Sequence, residues 1–399
     1  MRITFLLTQS LEDPSGLGRY FPLTKELARL GNEVNILALH PNLNGLSQRR
    51  LQVSGVKVHY VGQMHVRKVG SQKTYFSTPG LVRVALASSL RMGIRTLLTD
   101  TDVIHLGKPH PINGVAALVG AKLFRHRPLY LDCDDYEAES NHFSADWQER
   151  AFALFEDNLP KFTKGLTVNT RFLAERNAAL GYPKERIVYV PNGIDRDRFD
   201  NVDPQGVQKL RDGLGLEGKR VVLYVGSLSL ANHPVGLLLD AFAIVSRRLK
   251  EAVLVLVGGG EDYDLICCRV REMGLGDKVI VVGRVKPHFV PYYLKLGDVS
   301  VDPVYDDVVA RARSPLKLFE SMAMGVPVVT SDVGDRGEIL GRAGLLVAPG
   351  DAEALAEGIM AVLQDEDRAK AMAEAALEMR ERYYWDVLVK DFVRVYDLR

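Results

Sequence analysis

Cysteine is scarce in this chain. Its three cysteines among 399 residues are Cys133, Cys267 and Cys268. An odd number without a C-x-x-C pair excludes a disulfide framework and a cysteine-ligated zinc site, and it fits a reducing compartment. We therefore interpret all three as packing residues.

Long hydrophobic runs are also missing. No stretch reaches the ~18 uninterrupted apolar residues that a membrane-spanning helix needs. The apolar run after Met1 and Arg2 is too short for a signal peptide. Low-complexity tracts and short repeats are absent as well, which argues against a disordered or fibrous chain. The expectation is a cytoplasmic globular protein of two domains, at ~100 to 200 residues each.

A net charge of only +1 conceals an uneven distribution. Residues 49–127 carry thirteen Lys and Arg against only Asp100 and Asp102. Such a surface favours anionic lipid at the inner face of a membrane, or a phosphate-bearing acceptor. A solvated face that aids solubility explains it equally well. No nucleic-acid partner is expected.

Short apolar strands alternate with helical segments in two series. Strands are predicted at 2–8, 33–39, 56–61, 103–106, 129–133, 166–169 and 187–190, and then at 220–225, 253–257, 279–282, 299–301, 326–330 and 344–347. Strands separated by helices of ten or more residues indicate a parallel, doubly wound sheet. The sequence therefore predicts an α/β protein with two Rossmann-like domains facing each other across a cleft.

The boundary falls near Pro191-Asn-Gly, because Pro removes a ladder donor and Asn-Gly favours left-handed backbone. This predicts a first domain over 1–193 and a second over 194–379. A C-terminal helix at about 380–399 is expected to pack back onto the first domain.

Three glycine-bearing loops follow strands, where backbone N–H groups can bind phosphate. They contain Gly16 and Gly18, Gly226 with Ser227, and the run 258–260. Each also has a plain explanation as a turn. None is a G-x-G-x-x-G fingerprint or a Walker loop, so a nicotinamide enzyme and an ATPase are disfavoured.

The segment 311–332 is the most informative. Ser314 is predicted to cap a helix that begins with Pro315, so that the N–H groups of Leu316 and Lys317 face an anion. Glu320 lies about one turn after Lys317 on the same face, where a carboxylate can accept two ribose hydroxyls. An exposed Lys-Glu pair on a capped helix is the alternative.

This segment resembles the donor-binding signature of the family 4 glycosyltransferases, which have the GT-B fold. The resemblance extends to Gly31-Asn-Glu-Val-Asn, Val190-Pro-Asn-Gly-Ile-Asp, Val225-Gly-Ser-Leu, Leu256-Val-Gly-Gly-Gly and Gly344-Leu-Leu-Val-Ala-Pro-Gly-Asp. It implies that Glu320 binds the ribose and that Leu316 and Lys317 contact the donor phosphates. It also implies that Gly16 and Gly18 close over the diphosphate, and that Arg284 meets the base.

Three positions depart from the family pattern. Ala312 stands where the first Glu of the E-x7-E pattern is expected, and Ser227 and Asn232 stand where many members carry Arg and Lys. A departing diphosphate needs cations or oriented N–H groups. Lys317, Arg311, Arg313 and the helix start are the candidate substitutes.

A second group of carboxylates occupies Asp132-Cys-Asp-Asp-Tyr-Glu-Ala-Glu. Its D-x-D pattern admits a metal site, although the family that it resembles needs none. Asp134 or Asp135 is instead predicted to contact the donor sugar or to orient the acceptor hydroxyl. Acidic residues at a solvated helix start are the alternative. The pair Asp306-Asp307 is interpreted as a loop, or as a replacement for the missing Glu.

The resemblance thus implies a retaining, metal-independent enzyme without a cofactor. It would move a sugar from a UDP- or GDP-sugar to a hydroxyl of a glycan or lipid-linked acceptor, in cell-surface polysaccharide or glycolipid synthesis. Two alternatives stay open: a catalytically inactive GT-B scaffold or partner subunit, and a GT-B enzyme of other chemistry such as a nucleotide-sugar epimerase or a phosphorylase.

Overall fold

Two parallel sheets organise the chain, each in its own unit. The computed structural model describes residues 1–12, 16–69, 72–123, 126–141, 143, 145–230 and 233–398, with the side chains of 69, 72, 73 and 121–123 left out. One unit comprises Met1–Gly193, Ala312–Ser314 and the segment from Trp385. The other comprises Ile194–Arg311 and Pro315–Tyr384.

The first unit contains an eight-stranded sheet and a separate hairpin. Its strands are β1 (Arg2–Leu7), β2 (Glu33–His40), β3 (Arg50–Val53), β4 (Val56–Gln63), β5 (Val66–Val69), β6 (Gln72–Tyr75), β7 (Val103–Gly107), β8 (Leu129–Cys133), β9 (Gly165–Val168) and β10 (Ile187–Tyr189). The sheet has the order β10-β9-β8-β7-β1-β2-β4-β3. Its pairs are parallel except β3 with β4. The hairpin β5-β6 is antiparallel.

Helices connect these strands. They are α1 (Phe21–Arg29), α2 (Thr78–Leu98), α3 (Pro111–Ala117), α4 (Glu137–Ser140), α5 (Asp146–Asn158) and α6 (Arg171–Ala179). Strand β1 lies at the centre, because Ile3 is in register with Val34 on one side and Val103 on the other. Its Ile3, Phe5, Leu6 and Leu7 are fully buried, as an apolar strand covered on both faces should be.

The second unit contains a six-stranded parallel sheet. Its strands are β11 (Arg220–Val225), β12 (Ala252–Val257), β13 (Val279–Gly283), β14 (Val299–Asp302), β15 (Val328–Ser331) and β16 (Gly344–Val347). Their order is β13-β12-β11-β14-β15-β16. The prediction of two doubly wound α/β units is confirmed.

Helices of the second unit are α7 (Arg196–Phe199), α8 (Pro204–Gly213), α9 (Val235–Arg248), α10 (Tyr263–Glu272), α11 (Val290–Leu294), α12 (Val308–Arg311), α13 (Leu316–Ala323), α14 (Arg336–Leu340), α15 (Ala352–Leu363) and α16 (Glu366–Met379). The last helix, α17 (Trp385–Phe392), belongs to the first unit. There the Trp385 indole donates to the Gly18 carbonyl over 3.1 Å. The return to the first unit thus begins at 385, whereas residues 380–384 stay with the second.

Helix α2 is the longest apolar helix, at 21 residues. It includes three arginines, and within the described residues no helix combines the length and hydropathy needed to cross a bilayer.

The glycine run 258–260 packs against the loop after β11, which fits the plain explanation of these residues as a turn. A Cβ on Gly258 would lie 1.7 Å from the Gly226 carbonyl oxygen, and one on Gly260 would lie 2.2 Å from that of Leu228. The Leu228 N–H donates to Gly259 and the Asp262 N–H to Leu228. The glycines therefore let two loops pack backbone against backbone.

Replacing Gly258 by Ala should destabilise the second unit by about 2 kcal/mol or more, because the new methyl group must displace the Gly226 backbone. Urea unfolding measures this effect. Gly276→Ala is the control, since a Cβ there meets nothing within 4 Å and should change stability by less than about 0.5 kcal/mol. Equal midpoints for the two variants would refute the packing argument.

Candidate functional site

In the second unit, the order of strands along the chain reverses between β11 and β14. These two strands are neighbours in the sheet, with Val222 in register with Val299, yet β12 and β13 lie between them in sequence. In open α/β sheets, ligands bind outside the carboxyl ends of the strands at such a switch point. The side chains gathered there are Tyr224 from β11, Asp302 from β14 and Lys317 from α13.

Lys317 lies at this switch point. Its Nζ donates to Asp302 Oδ1 over 2.9 Å and sits 4.5 Å from the centre of the Tyr224 ring. Burial by itself lowers the pKa of Lys317, and the Asp302 carboxylate outweighs that effect, so its pKa is raised above the ordinary value. The ammonium is therefore charged, and its partner is a protein carboxylate.

Asp302 holds a second cation. Arg336 Nε donates to its Oδ2 over 2.9 Å, while Arg336 Nη1 donates to the carbonyls of Ala310 and Val333. Burial opposes ionisation of Asp302, but the two cations together hold its pKa well below the usual range. With one carboxylate between two cations, the cluster carries net charge +1, which suits an anionic ligand.

The start of α13 differs from the expectation at Ser314. Pro315, not Ser314, precedes the first helical residue, and no side chain caps the helix. Ser314 Oγ instead accepts the Asn192 N–H over 3.1 Å, and its carbonyl accepts Asn192 Nδ2 over 2.6 Å. Ser314 therefore accepts two hydrogen bonds from Asn192 of the first unit and does not cap α13.

The N–H groups of Leu316 and Lys317 remain at the open end of α13. In the described part of the chain neither has a protein acceptor, and the first bond of the turn runs from the Leu318 N–H to the Pro315 carbonyl. Unpaired donors at a helix start favour an anion. This feature matches the sequence prediction for the two residues.

Glu320 follows one turn later on α13. Its carboxylate is 14% exposed and lies 3.6 Å from Arg198 Nη2. Burial raises the pKa of Glu320, and Arg198 and Lys317 partly offset this. Sequence reasoning missed Arg198, which comes from α7, directly after the boundary segment.

The other predicted donor contacts occupy the carboxyl edge of the same sheet. Gly226 and Ser227 follow β11, and Arg284 follows β13 as an exposed side chain. The Gly226 N–H donates to Val257, so it does not face a ligand. Ser227 is exposed, and its carbonyl accepts the Tyr224 hydroxyl over 2.9 Å. Asn232 lies outside the described residues.

Arg311 and Arg313, the candidate substitutes for the missing cations, both have carboxylate partners. Arg311 forms two hydrogen bonds with Asp306, at 2.7 and 2.8 Å. Asp307 accepts the Ala310 N–H in the first turn of α12. Arg313 lies 3.8 Å from Asp135. Asp306 and Asp307 thus have local structural roles, as the loop interpretation expected.

In the first unit, a group of buried charges lies at the carboxyl ends of β7 and β8. Lys108 Nζ contacts Asp134 at 3.2 Å, Asp135 at 2.9 Å and Glu137 at 2.7 Å. Lys108 has a φ of 74°, a left-handed backbone that is uncommon for a residue with a side chain. Burial raises the pKa of Asp134, and Lys108 opposes that shift. Oxygen atoms of the three acids lie within 4.8 Å of one another.

Arg19 is a further buried charge that sequence reasoning missed. It forms a two-pronged pair with Asp132 at 2.7 and 2.6 Å, and its Nη1 donates to the carbonyls of Val190 and Pro191. The Asp132 of the D-x-D pattern is therefore held by an arginine. The sequence offers one indication of this role: Arg19 directly follows Gly18 in the glycine-bearing loop after β1.

Gly16 and Gly18 belong to a π-helical turn over Gly16–Tyr20. A Cβ on Gly16 would lie 2.1 Å from the Ser10 carbonyl oxygen, so the turn packs tightly against the loop that follows β1. Residues 13–15, including the Pro14 of this loop, lie outside the described residues.

The acid cluster around Lys108 leads to a prediction about stability and metal binding. Lys108→Met leaves the buried carboxylates of Asp134 and Glu137 and the half-buried one of Asp135 without their shared cation. It should lower stability by about 3 kcal/mol or more. Millimolar Mn²⁺ should recover part of the melting temperature in the variant but not in the wild type, because the carboxylates are then free to bind it. Differential scanning calorimetry measures both effects.

Lys57→Met is the matched control, since its partner Glu33 is exposed and exposed pairs contribute little. A Lys108 variant as stable as this control would show that the cluster does not depend on the ammonium.

A second prediction concerns Glu156, which accepts the N–H groups of Glu137 and Ala138 at 2.9 and 3.1 Å and so fixes α4 beside the cluster. Burial raises its pKa to about 7. A carboxyl whose folded pKa lies above its unfolded value stabilises the fold below the unfolded pKa of about 4.3, and this contribution is lost as the pH rises through 7.

Between pH 5 and pH 8, therefore, the wild type should lose roughly 2–3 kcal/mol more stability than Glu156→Gln. Urea titrations at the two pH values give the difference. The same pH dependence in both proteins would contradict the assignment.

Comparisons with known proteins match nearly the whole chain. The family "Glycosyl transferases group 1" matches residues 207–379, and "Glycosyltransferase Family 4" matches residues 16–198. Together these two matches cover both units described above.

Curated relatives are similar over part of their length. The "GDP-mannose-dependent alpha-(1-6)-phosphatidylinositol monomannoside mannosyltransferase" of Mycobacterium tuberculosis is 29% identical over 240 residues, covering 58% of this chain and 62% of that protein. The "Alpha-D-kanosaminyltransferase" of Streptomyces kanamyceticus is 27% identical over 223 residues, or 55% of each chain. The matches thus span less than two thirds of these relatives' lengths.

Solved structures match over the full length. Anabaena HepE in complex with UDP and glucose has a TM-score of 0.72 at 19% identity, covering 99% of each chain. Sucrose-phosphate synthase from Thermosynechococcus elongatus has a TM-score of 0.77 at 18% identity, covering 100% of this chain and 98% of that one. At these identities the likeness shows a common fold.

Proposed function

The chain belongs to the family 4 glycosyltransferases of GT-B fold, and on that premise we propose that it transfers a sugar from a UDP- or GDP-sugar to a hydroxyl of a glycan or glycolipid acceptor. The observation that carries the proposal is the open start of α13 at the switch point of the second sheet. There the Lys317 ammonium, two free N–H groups and the Glu320 carboxylate line up within one helical turn.

Each group has a role in donor binding. The N–H groups of Leu316 and Lys317 donate to the diphosphate, and the Lys317 ammonium neutralises charge as the diphosphate leaves. Glu320 accepts the two ribose hydroxyls, with Arg198 keeping its carboxylate charged. Ser227 and Arg284 contact the diphosphate and the base from the loops after β11 and β13.

We propose that transfer retains the anomeric configuration and needs neither a metal nor a cofactor. The acceptor oxygen forms its bond to the anomeric carbon as the bond to the diphosphate breaks, and its proton passes to the departing phosphate. No side-chain nucleophile is then required. Orientation of the two substrates and stabilisation of the phosphate charge provide the catalysis.

Asp134 and Asp135 are proposed to orient the acceptor hydroxyl or the donor sugar. Lys108 binds both carboxylates and holds them in place. We propose a lipid-linked acceptor, in cell-surface polysaccharide or glycolipid synthesis at the cytoplasmic side. The lipid-linked acceptor is supported by the mycobacterial relative, which is named as a phosphatidylinositol monomannoside mannosyltransferase.

A second candidate, a GT-B scaffold without turnover, is favoured by one observation. Ala312 replaces the first Glu of the donor signature and is fully buried in the hydrophobic core of the first unit. If this candidate holds, nucleotide binding is present and transfer is absent with every donor and acceptor tested.

The donor site predicts different consequences for two variants. Glu320→Gln should weaken binding of UDP or GDP by about 10- to 100-fold, because it removes an ionised acceptor of hydrogen bonds. Lys317→Met should lower kcat/KM by about 100- to 1,000-fold, as does loss of one group that stabilises developing charge.

Calorimetry with a panel of UDP- and GDP-sugars, followed by transfer assays, measures both effects. Arg342→Gln is the control, because its ion pair with Glu378 is exposed and belongs to the same unit. If Glu320→Gln bound every nucleotide as tightly as the wild type did, the placement of the ribose would be wrong.

A further inference from the structure

Helix α2 presents an apolar face to solvent. Five large apolar side chains recur at every fourth position along it and are exposed by 41 to 69%: Val82, Leu86, Leu90, Ile94 and Leu98. Residues four apart are neighbours on a helix surface, so these five form one continuous line, which we call the α2 stripe. At 3.6 residues per turn this line winds by roughly 160° around the helix axis, so the stripe covers a broad side of the helix. The opposite face of α2, with Met92 and Thr96, is buried.

A surface helix of a globular domain normally pairs an apolar inner face with a polar outer one. In α2 the exposed face carries a line of large apolar side chains as well. Helix α3 and the π-helical turn after it, Leu118–Leu123, pack closely beside α2, where Gly120 of the turn approaches the Gly93 carbonyl. They add exposed Val115 from α3 and exposed Val119 from the turn. An apolar surface of this extent marks an interaction site.

The charges beside the stripe have one sign. Residues 78–98 contain Arg83, Arg91 and Arg95 and no Asp or Glu. Arg83 and Arg91 are exposed. A partner for this face must therefore offer apolar surface and negative charge next to each other.

The hairpin β5-β6 directly precedes α2 in the chain and carries exposed side chains of the same two kinds. β5 carries exposed Arg67, whose guanidinium lies 4.8 Å from the Phe76 ring, and β6 ends at Tyr75, which is 58% exposed. Tyrosine and arginine are typical of the boundary between lipid headgroups and acyl chains.

We propose that the α2 stripe and the adjoining hairpin dock on an anionic lipid bilayer. The helix lies in the plane of the interface, with the five apolar side chains among the upper acyl chains and the arginines against lipid phosphates. Charge complementarity favours lipid over a second copy of the chain, because the same cationic face on a partner copy would repel it.

This inference extends beyond the proposed transfer reaction and stands on a different surface. The basic stretch over 49–127 indicated anionic lipid in general. Helix α2 specifies which side chains enter the membrane.

Vesicle flotation of the full chain tests the proposal. The wild type should bind vesicles of phosphatidylcholine with 30% phosphatidylglycerol at least tenfold better than vesicles of phosphatidylcholine alone. The triple variant Leu86→Ser, Leu90→Ser, Leu98→Ser should lose at least tenfold of that binding, and so should Arg83→Gln with Arg91→Gln. Leu265→Ser, at an exposed leucine of the second unit, should bind as the wild type does.

Calorimetric measurement of nucleotide binding by the same variants distinguishes the membrane-docking proposal from the sugar-transfer proposal. Variants that bind nucleotide as the wild type does but fail to float support the membrane surface, whatever the transfer activity. Undiminished flotation of the triple variant would overturn the proposal. So would a wild type that ignores vesicles and forms a dimer which the triple variant abolishes, since the stripe would then be a self-association face.

Discussion

The second unit of this protein depends on one buried carboxylate. Asp302 ends β14 and binds Lys317 of α13 and Arg336 of α14, each at 2.9 Å. It thereby fixes two helices to the carboxyl end of a central strand. Removal of a buried partner from such a cluster leaves an uncompensated charge, which costs far more than the pair itself contributes. The position of Lys317 at the switch point is thus a consequence of Asp302.

The same arrangement fixes what the cluster can bind. One carboxylate between two cations leaves a positive charge beside the open start of α13, where two N–H groups lack protein acceptors. An anion meets both the charge and the donors. Arg311 is paired with Asp306 and Arg313 lies beside Asp135. The proposed contacts with the donor diphosphate are therefore assigned to Lys317 and the helix start.

In the buried charge cluster of the first unit, carboxylates outnumber cations, whereas the reverse holds around Asp302. There one ammonium, that of Lys108, is surrounded by three carboxylates, and a second pair joins Arg19 to Asp132. The left-handed backbone of Lys108 accompanies a side chain that donates hydrogen bonds to Asp135 and Glu137 and forms an ion pair with Asp134. The Lys108 ammonium holds the carboxylates of Asp134 and Asp135 in place. Fixed carboxylates suit the proposed role of orienting a hydroxyl. The metal-like spacing of these acids is explained by an internal cation.

Periodicity and turn chemistry alone determined the α/β class, two doubly wound units and most strand positions, because buried parallel strands are short apolar runs that stand out from the helices between them. They missed β3 and the hairpin β5-β6, which are largely polar. The open helix start at Leu316 and Lys317 and the position of Glu320 also followed from sequence, since they depend on residues within two turns.

Only the tertiary structure decided the partners of these groups. Asp302 and Arg336 are distant from Lys317 in sequence, Ser314 is taken by Asn192 rather than by its own helix, and the glycines at 258–260 serve the packing of two loops. Packing likewise decided which side chains of α2 are buried and which form the exposed α2 stripe. Long-range contacts determine which of several possible hydrogen-bond and ion-pair partners a side chain has. A local sequence pattern does not specify which distant side chain will pair with a given charge.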